Sequence, residues 1–305
     1  MRIAVTGASG FVGGHLIRLL IREGHEIHAI QHRKDLPAAL KGLANVYGFS
    51  GNVAEGASLL EGFAGCDAVI HLVGIIREFP RKKITFKRLH VEATGQVLAA
   101  MKKAGVRRLL HMSALGARPG AVSLYHQSKW VAEEQVRQSE LDWTIFRPSL
   151  IYGPGDGFVS TMVPLAKAPF FPVIGGGGTH AEPVDIRDVT AVFAASLTHP
   201  ETIGQTINVV GPERFTYREI YRSIAFALGR PFRPIAIPIP LVRPMVKWLE
   251  YEDWFPLTTT QLQMLQEDNV GDETLMLPLL DRPRIHLAEG LQYLQPKPAG
   301  QLKPR

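Results

Sequence analysis

Met1-Arg-Ile-Ala-Val-Thr-Gly-Ala-Ser-Gly-Phe-Val-Gly-Gly14 is the stretch that decides the fold. Ile3, Ala4 and Val5 make a short apolar run of the kind that forms a buried parallel strand. Gly7, Gly10 and Gly13 follow at three-residue spacing, and His15 to Arg22 reads as a helix with Leu16, Leu19 and Leu20 on one face. Strand, glycine turn and helix in this order make a phosphate cradle. Gly7 permits the tight turn, Gly10 removes the Cβ that would hold a pyrophosphate off the backbone, and Gly13 lets the helix pack close to the strand. Ser9, Gly10, Phe11, Val12 and Gly13 then present backbone donors at the positive end of that helix.

Working outward, the chain alternates strand and helix patterns. Glu26 to Ile30, Val46 to Phe49, Ala68 to Val73, Arg107 to Met112, Trp143 to Phe146 and Thr206 to Val210 read as strands. Ala57 to Phe63, Leu89 to Ala104, Gln127 to Ser139, Phe158 to Lys167, Asp185 to Leu197 and Thr216 to Leu228 have helical spacing. Such βαβ units with right-handed crossovers predict an α/β fold, a doubly wound parallel sheet of the Rossmann type. From Gly155 onward proline and glycine interrupt the pattern, and Pro169 to Pro172 and Gly175 to Gly178 read as loop. Residues 1–155 and 183–211 are therefore expected to form the dinucleotide-binding domain. Residues 156–182 and 212–295 should form a smaller mixed domain on the substrate side, and 296–305 a flexible, proline-rich tail.

Composition narrows the classes. The chain is 46% hydrophobic and 20% charged, ordinary for a globular protein. A formal charge of +6 suits an anionic ligand, lipid surface or acidic partner, but no basic run or motif argues for nucleic acid. Residues 77–88 carry six basic side chains and one acid, which reads as a solvated face or a docking patch for an acidic subunit or anionic lipid heads. Cys66 is the lone cysteine, so no disulfide forms within the chain. With no leader before the first strand and no apolar stretch of spanning length, the reading is a cytoplasmic protein, at most peripheral at the inner face of a membrane. Ile235 to Val242, the most apolar late stretch, is broken by Pro238 and Pro240.

Cofactor contacts follow from the strand ends, where open α/β sheets bind ligands. After the second strand the sequence is Gln31-His32-Arg33-Lys34, with no acid until Asp35. An acid there would accept from ribose hydroxyls and favour NAD(H). His32 and Arg33 instead suit the extra phosphate, so NADP(H) is favoured. Asn52 and Val53 reach toward adenine, Leu72, Val73 and Gly74 end the fourth strand at the cofactor edge, and Pro148, Leu150 and Ile151 line a loop that packs over the nicotinamide. No metal site is assigned.

One constellation carries chemistry. Met112 and Ser113 end a strand; Tyr125 lies twelve residues on, and Lys129 four after that. Tyr125 and Lys129 at i and i+4 share a helix face. The ammonium should lower the phenol's pKa so that tyrosine exchanges a proton near neutral pH, while Ser113 holds the substrate oxygen and Lys129 the nicotinamide ribose. The same three side chains can also bind and orient the cofactor without turnover.

The glycine loop 6–13, Val69-Ile-His-Leu-Val-Gly74, Ser113, Tyr125-x-x-x-Lys129 and Arg147-Pro-Ser149 together resemble the extended and atypical short-chain dehydrogenase/reductases, the NAD(P)-dependent epimerase-like proteins, over nearly the whole chain. Residues 71–78, 112–117 and 256–270 look like the branch that holds the nucleotide-binding accessory subunit of respiratory complex I and its bacterial relatives. That resemblance implies a tightly held NADPH, a link to quinone metabolism or the respiratory membrane, and two readings. One is an oxidoreductase or epimerase-like enzyme acting on a small carbonyl, quinone-related or sugar-nucleotide substrate. The other is a non-catalytic NADPH-binding structural or assembly subunit of a respiratory complex. Asn52, where many relatives have aspartate, is a mild departure.

Overall fold

The computed structural model describes residues 1–32, 36–38 and 40–295. The expected tail 296–305 and the expected phosphate contact Arg33 lie outside the described residues. Seven parallel strands form one sheet: β1 (Arg2–Thr6), β2 (Glu26–Gln31), β3 (Val46–Ser50), β4 (Ala68–His71), β5 (Arg108–Met112), β6 (Asp142–Pro148) and β7 (Gln205–Val209). Their order is β7-β6-β5-β4-β1-β2-β3. The strand order reverses between β1 and β4, so the crevice for a ligand opens beyond Thr6 and His71.

Period-two patterning sets the layers. Ile3 and Val5 of β1 face α1 (Phe11–Arg22) and α6 (Ile186–Ser196), with Leu16, Ile17, Leu20, Val192 and Phe193. Ala4 faces the opposite layer, with Phe63 of α2 (Leu60–Phe63), Val97 and Met101 of α3 (Ala93–Ala104) and Val136 of α4 (Leu124–Arg137). Each fully buried leucine or isoleucine of α1 is worth roughly 1.5–3 kcal/mol. A separate apolar cluster unites α5 (Gly157–Lys167) and α7 (Tyr217–Ala227) through Val159, Ala166, Tyr217, Ile220 and Ile224.

Three readings of the sequence change. The helix expected from Gln127 begins at Leu124, because Ser123 Oγ accepts the His126 N–H at 3.2 Å. Tyr125 therefore sits in its first turn. Pro169 to Pro172 is not all loop: Phe171–Ile174 pairs in parallel with Pro234–Ile237, Phe171 and Val173 turning inward. The apolar stretch 235–242 splits into that strand and a helix, α8 (Ile239–Leu249). Pro240 falls in its first turn, where a missing N–H costs nothing. Past a connecting segment, the short α9 (Thr259–Met264) starts at a capping box between Thr258 and Gln261.

Three of the buried histidines gather at the middle of the sheet. His71 ends β4, His111 lies beside it in β5 in register, and His90 sits in the wide helical turn Lys87–Glu92 ahead of α3. Burial holds all three neutral, pushing His71 down to about 3, His90 to about 2 and His111 well below its ordinary value. The unfolded chain takes up these protons below about pH 6.5 and the fold does not, so stability falls as pH drops from there. Each histidine should cost about 2 kcal/mol by pH 5. Thermal unfolding of His111→Leu should show an acid-induced loss smaller by about that amount. An unchanged pH slope contradicts the burial of a neutral ring.

Candidate functional site

Gly7 adopts a left-handed φ of +78°, and a Cβ there would lie 3.1 Å from the Leu72 carbonyl carbon. A Cβ on Gly13 would lie 2.4 Å from the Gly7 carbonyl oxygen. α1 thus starts hard against the end of β1, as the spacing requires. Gly10 caps it with no side-chain bond, and no acid occupies the first turn. The first N–H groups therefore face a cleft lined by Ala8, Ser9, Gly10, Phe11, Arg18 and Pro154. Ser9 and Gly10 are exposed, while Val12 and Gly13 are buried beneath them. Free helix donors with no Cβ in the way fit a pyrophosphate.

The other predicted cofactor residues gather along the same edge with different accessibilities. The Leu72 N–H bonds the Thr6 carbonyl at 3.1 Å, locking the β4 loop to the glycine turn. Gly74 is exposed, and a Cβ on it would come within 3.0 Å of Lys129 Nζ. Asn52 closes its own turn, its Oδ1 accepting the Ala54 N–H and its Nδ2 donating to Glu55. Val53 is buried in the core behind it. His32 is exposed after β2. Pro148 ends β6 and accepts the Leu115 N–H, while Leu150 and Ile151 are half-buried.

Lys129 lies at the centre. It is buried, and Nζ donates to the Met112 carbonyl at 3.0 Å. Burial pushes its pKa down to about 8, opposed by Glu133. Tyr125, one turn earlier, is half-buried, and burial pushes its phenol up to about 12. The expected lowering by the lysine is not found, because the ammonium is turned to the Met112 carbonyl. Ser113 is placed differently from the expectation too. Its Oγ donates to Glu133 Oε1 at 2.5 Å, in a buried network with Arg147 and Arg137. The residues that follow it, Ala114, Leu115, Gly116 and Ala117, carry no hydroxyl.

Two participants were not legible in the motifs. The Ile75 N–H donates to His90 Nε2 at 3.0 Å, so Nδ1 carries the proton and donates to Ser128 Oγ at 2.8 Å. Ser128 in turn donates to the Tyr125 carbonyl at 2.7 Å. His90 therefore ties the β4 loop to the first turn of α4, its ring lying roughly edge-on to the Tyr125 ring with centroids 5.6 Å apart. Glu267 bonds Arg118 at 2.5 Å and lies 3.9 Å from the buried His126 of α4. The segment 256–270 is thus held against the start of α4. No reading of the sequence singled out His90, and Glu267 lies within the stretch 256–270 that carries the family resemblance, without a role read for it there. Among the described residues, no three His, Cys, Asp or Glu side chains are arranged to hold a metal ion.

Residues 3–210 match the sequence profile of the NAD dependent epimerase/dehydratase family. The chain is 28% identical to "NADH dehydrogenase [ubiquinone] 1 alpha subcomplex subunit 9, mitochondrial" of Arabidopsis thaliana, over 91% of this chain and 73% of that one. It is 29% identical to the ceramide reductase of Caulobacter vibrioides, over 85% and 80%. UDP-glucuronic acid 4-epimerase from Bacillus cereus, solved with UDP-glucuronic acid and NAD, shares the fold with a TM-score of 0.72 at 21% identity, over 96% of this chain and 97% of that one.

Gly13→Ala tests the cradle. The backbone carbonyl it would strike cannot swing aside, so overpacking should cost about 1–3 kcal/mol and open the crevice. Thermal unfolding should show the loss, and calorimetric titration with NADPH should show binding abolished. Full binding at an unchanged melting temperature contradicts the close approach.

Proposed function

The chain belongs to the NAD dependent epimerase/dehydratase family, and on that premise we propose that it is an NADP(H)-dependent oxidoreductase that reduces a carbonyl substrate. The observation that carries this reading is Lys129. A buried ammonium is costly, and this one is held at the switch-point edge, against Gly74 and Met112 and one turn from Tyr125. A bound nicotinamide dinucleotide supplies the hydride. Lys129 would hold the ribose hydroxyls, and Tyr125 would give its proton to the substrate oxygen. A phenol raised to about 12 carries its proton at neutral pH, the form that a reduction draws on. The Caulobacter relative is named a reductase. Ser113, which spends its proton on Glu133, is assigned to fixing the end of β5 and α4 rather than to the substrate. A small ketone, quinone or sugar nucleotide would enter beside Tyr125 at the cofactor edge.

A second reading is a dinucleotide-binding structural subunit of a respiratory assembly, where the nucleotide stabilises the fold by about 2.7 kcal/mol at a hundredfold excess over Kd. The engagement of Ser113 with Glu133 favours it, as does the likeness to the Arabidopsis subunit. Tyr125→Phe separates the two. NADPH oxidation followed by absorbance against ketones, quinones and sugar nucleotides should fall about 10²–10⁴-fold in the variant, with dinucleotide binding retained. Identical rates in both proteins, including no rate in either, contradict the enzyme and leave the structural reading.

The preference for NADP(H) rests on the basic run after β2. Arg33→Asp should weaken NADPH roughly tenfold or more, by loss of a charge-assisted bond, and leave NADH nearly unchanged. Equal effects in fluorescence titrations with both coenzymes contradict a contact to the 2′-phosphate.

A further inference from the structure

α8 buries little of its own apolar surface. Val242 and Val246 pack inward with Phe255 and Leu262, and Ile239 and Leu249 are half-buried. Leu241, Met245 and Trp248, at i, i+4 and i+7, are 71%, 48% and 82% exposed. Just beyond the helix, Tyr251 and Trp254 are 57% and 70% exposed. At 100° per residue, the exposed apolar arc and the buried one adjoin, and Arg243 and Lys247 fall together on the remaining flank. Monomeric proteins rarely leave aromatic side chains so open.

The neighbouring charge is basic. Arg77 donates to the backbone carbonyls of Glu250, Glu252 and Phe255, and Lys82 pairs with Asp253 at 2.7 Å. The run 77–88 is therefore bound to the end of α8. Residues 77–88 and 239–255 together carry eight basic side chains and four acidic ones. Three of the acids are already engaged: Glu78 with the Phe86 N–H, Glu250 with the Thr259 N–H, and Asp253 with Lys82. Arg81, Lys83, Arg243 and Lys247 remain exposed, and Lys87 pairs with Glu92 at 3.6 Å.

We propose that this face seats the protein on an anionic lipid bilayer, with Leu241, Met245, Trp248, Tyr251 and Trp254 entering the headgroup boundary and the basic rim over the phosphates. Tryptophan and tyrosine favour that depth, and a short amphipathic helix with cations flanking its apolar side lies in the plane of the interface. A protein partner or a second copy would be expected to meet a face whose charge is balanced or self-complementary; a net basic rim around an apolar row repels its own copy and attracts acidic lipid. The proposal is independent of turnover: it needs only the face. Through Ile75 and Ile76 the same basic run leads back to Gly74, so a seated molecule would hold the mouth of the crevice near the lipid surface.

Flotation of the full chain with vesicles tests it. Binding is expected to phosphatidylcholine vesicles that contain phosphatidylglycerol, to weaken with added salt, and to be slight with phosphatidylcholine alone. Trp248→Ser with Trp254→Ser should abolish it at an unchanged melting temperature. Arg243→Glu with Lys247→Glu should weaken it roughly fivefold for each cation lost. No flotation of the unmodified chain overturns the proposal, as does flotation that these variants leave intact. A concentration-dependent dimer that Trp248→Ser dissolves, without vesicle binding, overturns it in favour of a second copy.

Discussion

The structure depends on the approach of the first turn of α1 to the carbonyl of Gly7. At that separation no side chain fits on Gly13. Once the helix starts there, its uncapped N–H groups must face the crevice beyond β1. The turn also sets where Leu72 can run, because its N–H bonds Thr6. The β4 loop, Gly74 and the Lys129 ammonium behind it all take their positions from this contact. A dinucleotide site here is the outcome of one steric constraint propagated along two adjacent strands.

Around that edge the core is unusually polar and holds one cation. His71, His90 and His111 are kept neutral by burial, and they surround a lysine whose own pKa is lowered to about 8. The partition is physical. Hydrogen bonds to backbone and hydroxyl groups satisfy His71 and His90 without charge, while Lys129 keeps the Met112 carbonyl. Glu133, the nearby buried acid, is shared by Ser113, Arg137 and Arg147.

The fold was legible because its signals are local. Glycine spacing, period-two apolar runs and helix closures are all read within a dozen residues, and alternating strands and helices with right-handed crossovers imply a parallel sheet covered on both faces. The family resemblance rested on the same stretches. What stayed hidden is set by contacts across the chain. Nothing near Ser113 in sequence says that Glu133, a full α4 turn past Lys129, would claim its hydroxyl. Nothing near His90 says that it would bridge Ile75 to Ser128. Pro238 and Pro240 broke the apolar stretch 235–242 in the sequence, yet both fall where a helix start tolerates proline, and of the apolar residues that follow Val242 and Val246 turn inward while Leu241, Met245 and Trp248 stay exposed. The basic run 77–88 was visible, but its attachment to α8 was not.

The central claim is that the uncovered donors of the amino-terminal turn hold a diphosphate. Native mass spectrometry of the purified chain, incubated with NADPH and separately with NADH, addresses it most directly. One dinucleotide per chain should add to the mass, persisting at lower concentration for NADPH. A chain that carries no such increment with either coenzyme would contradict it.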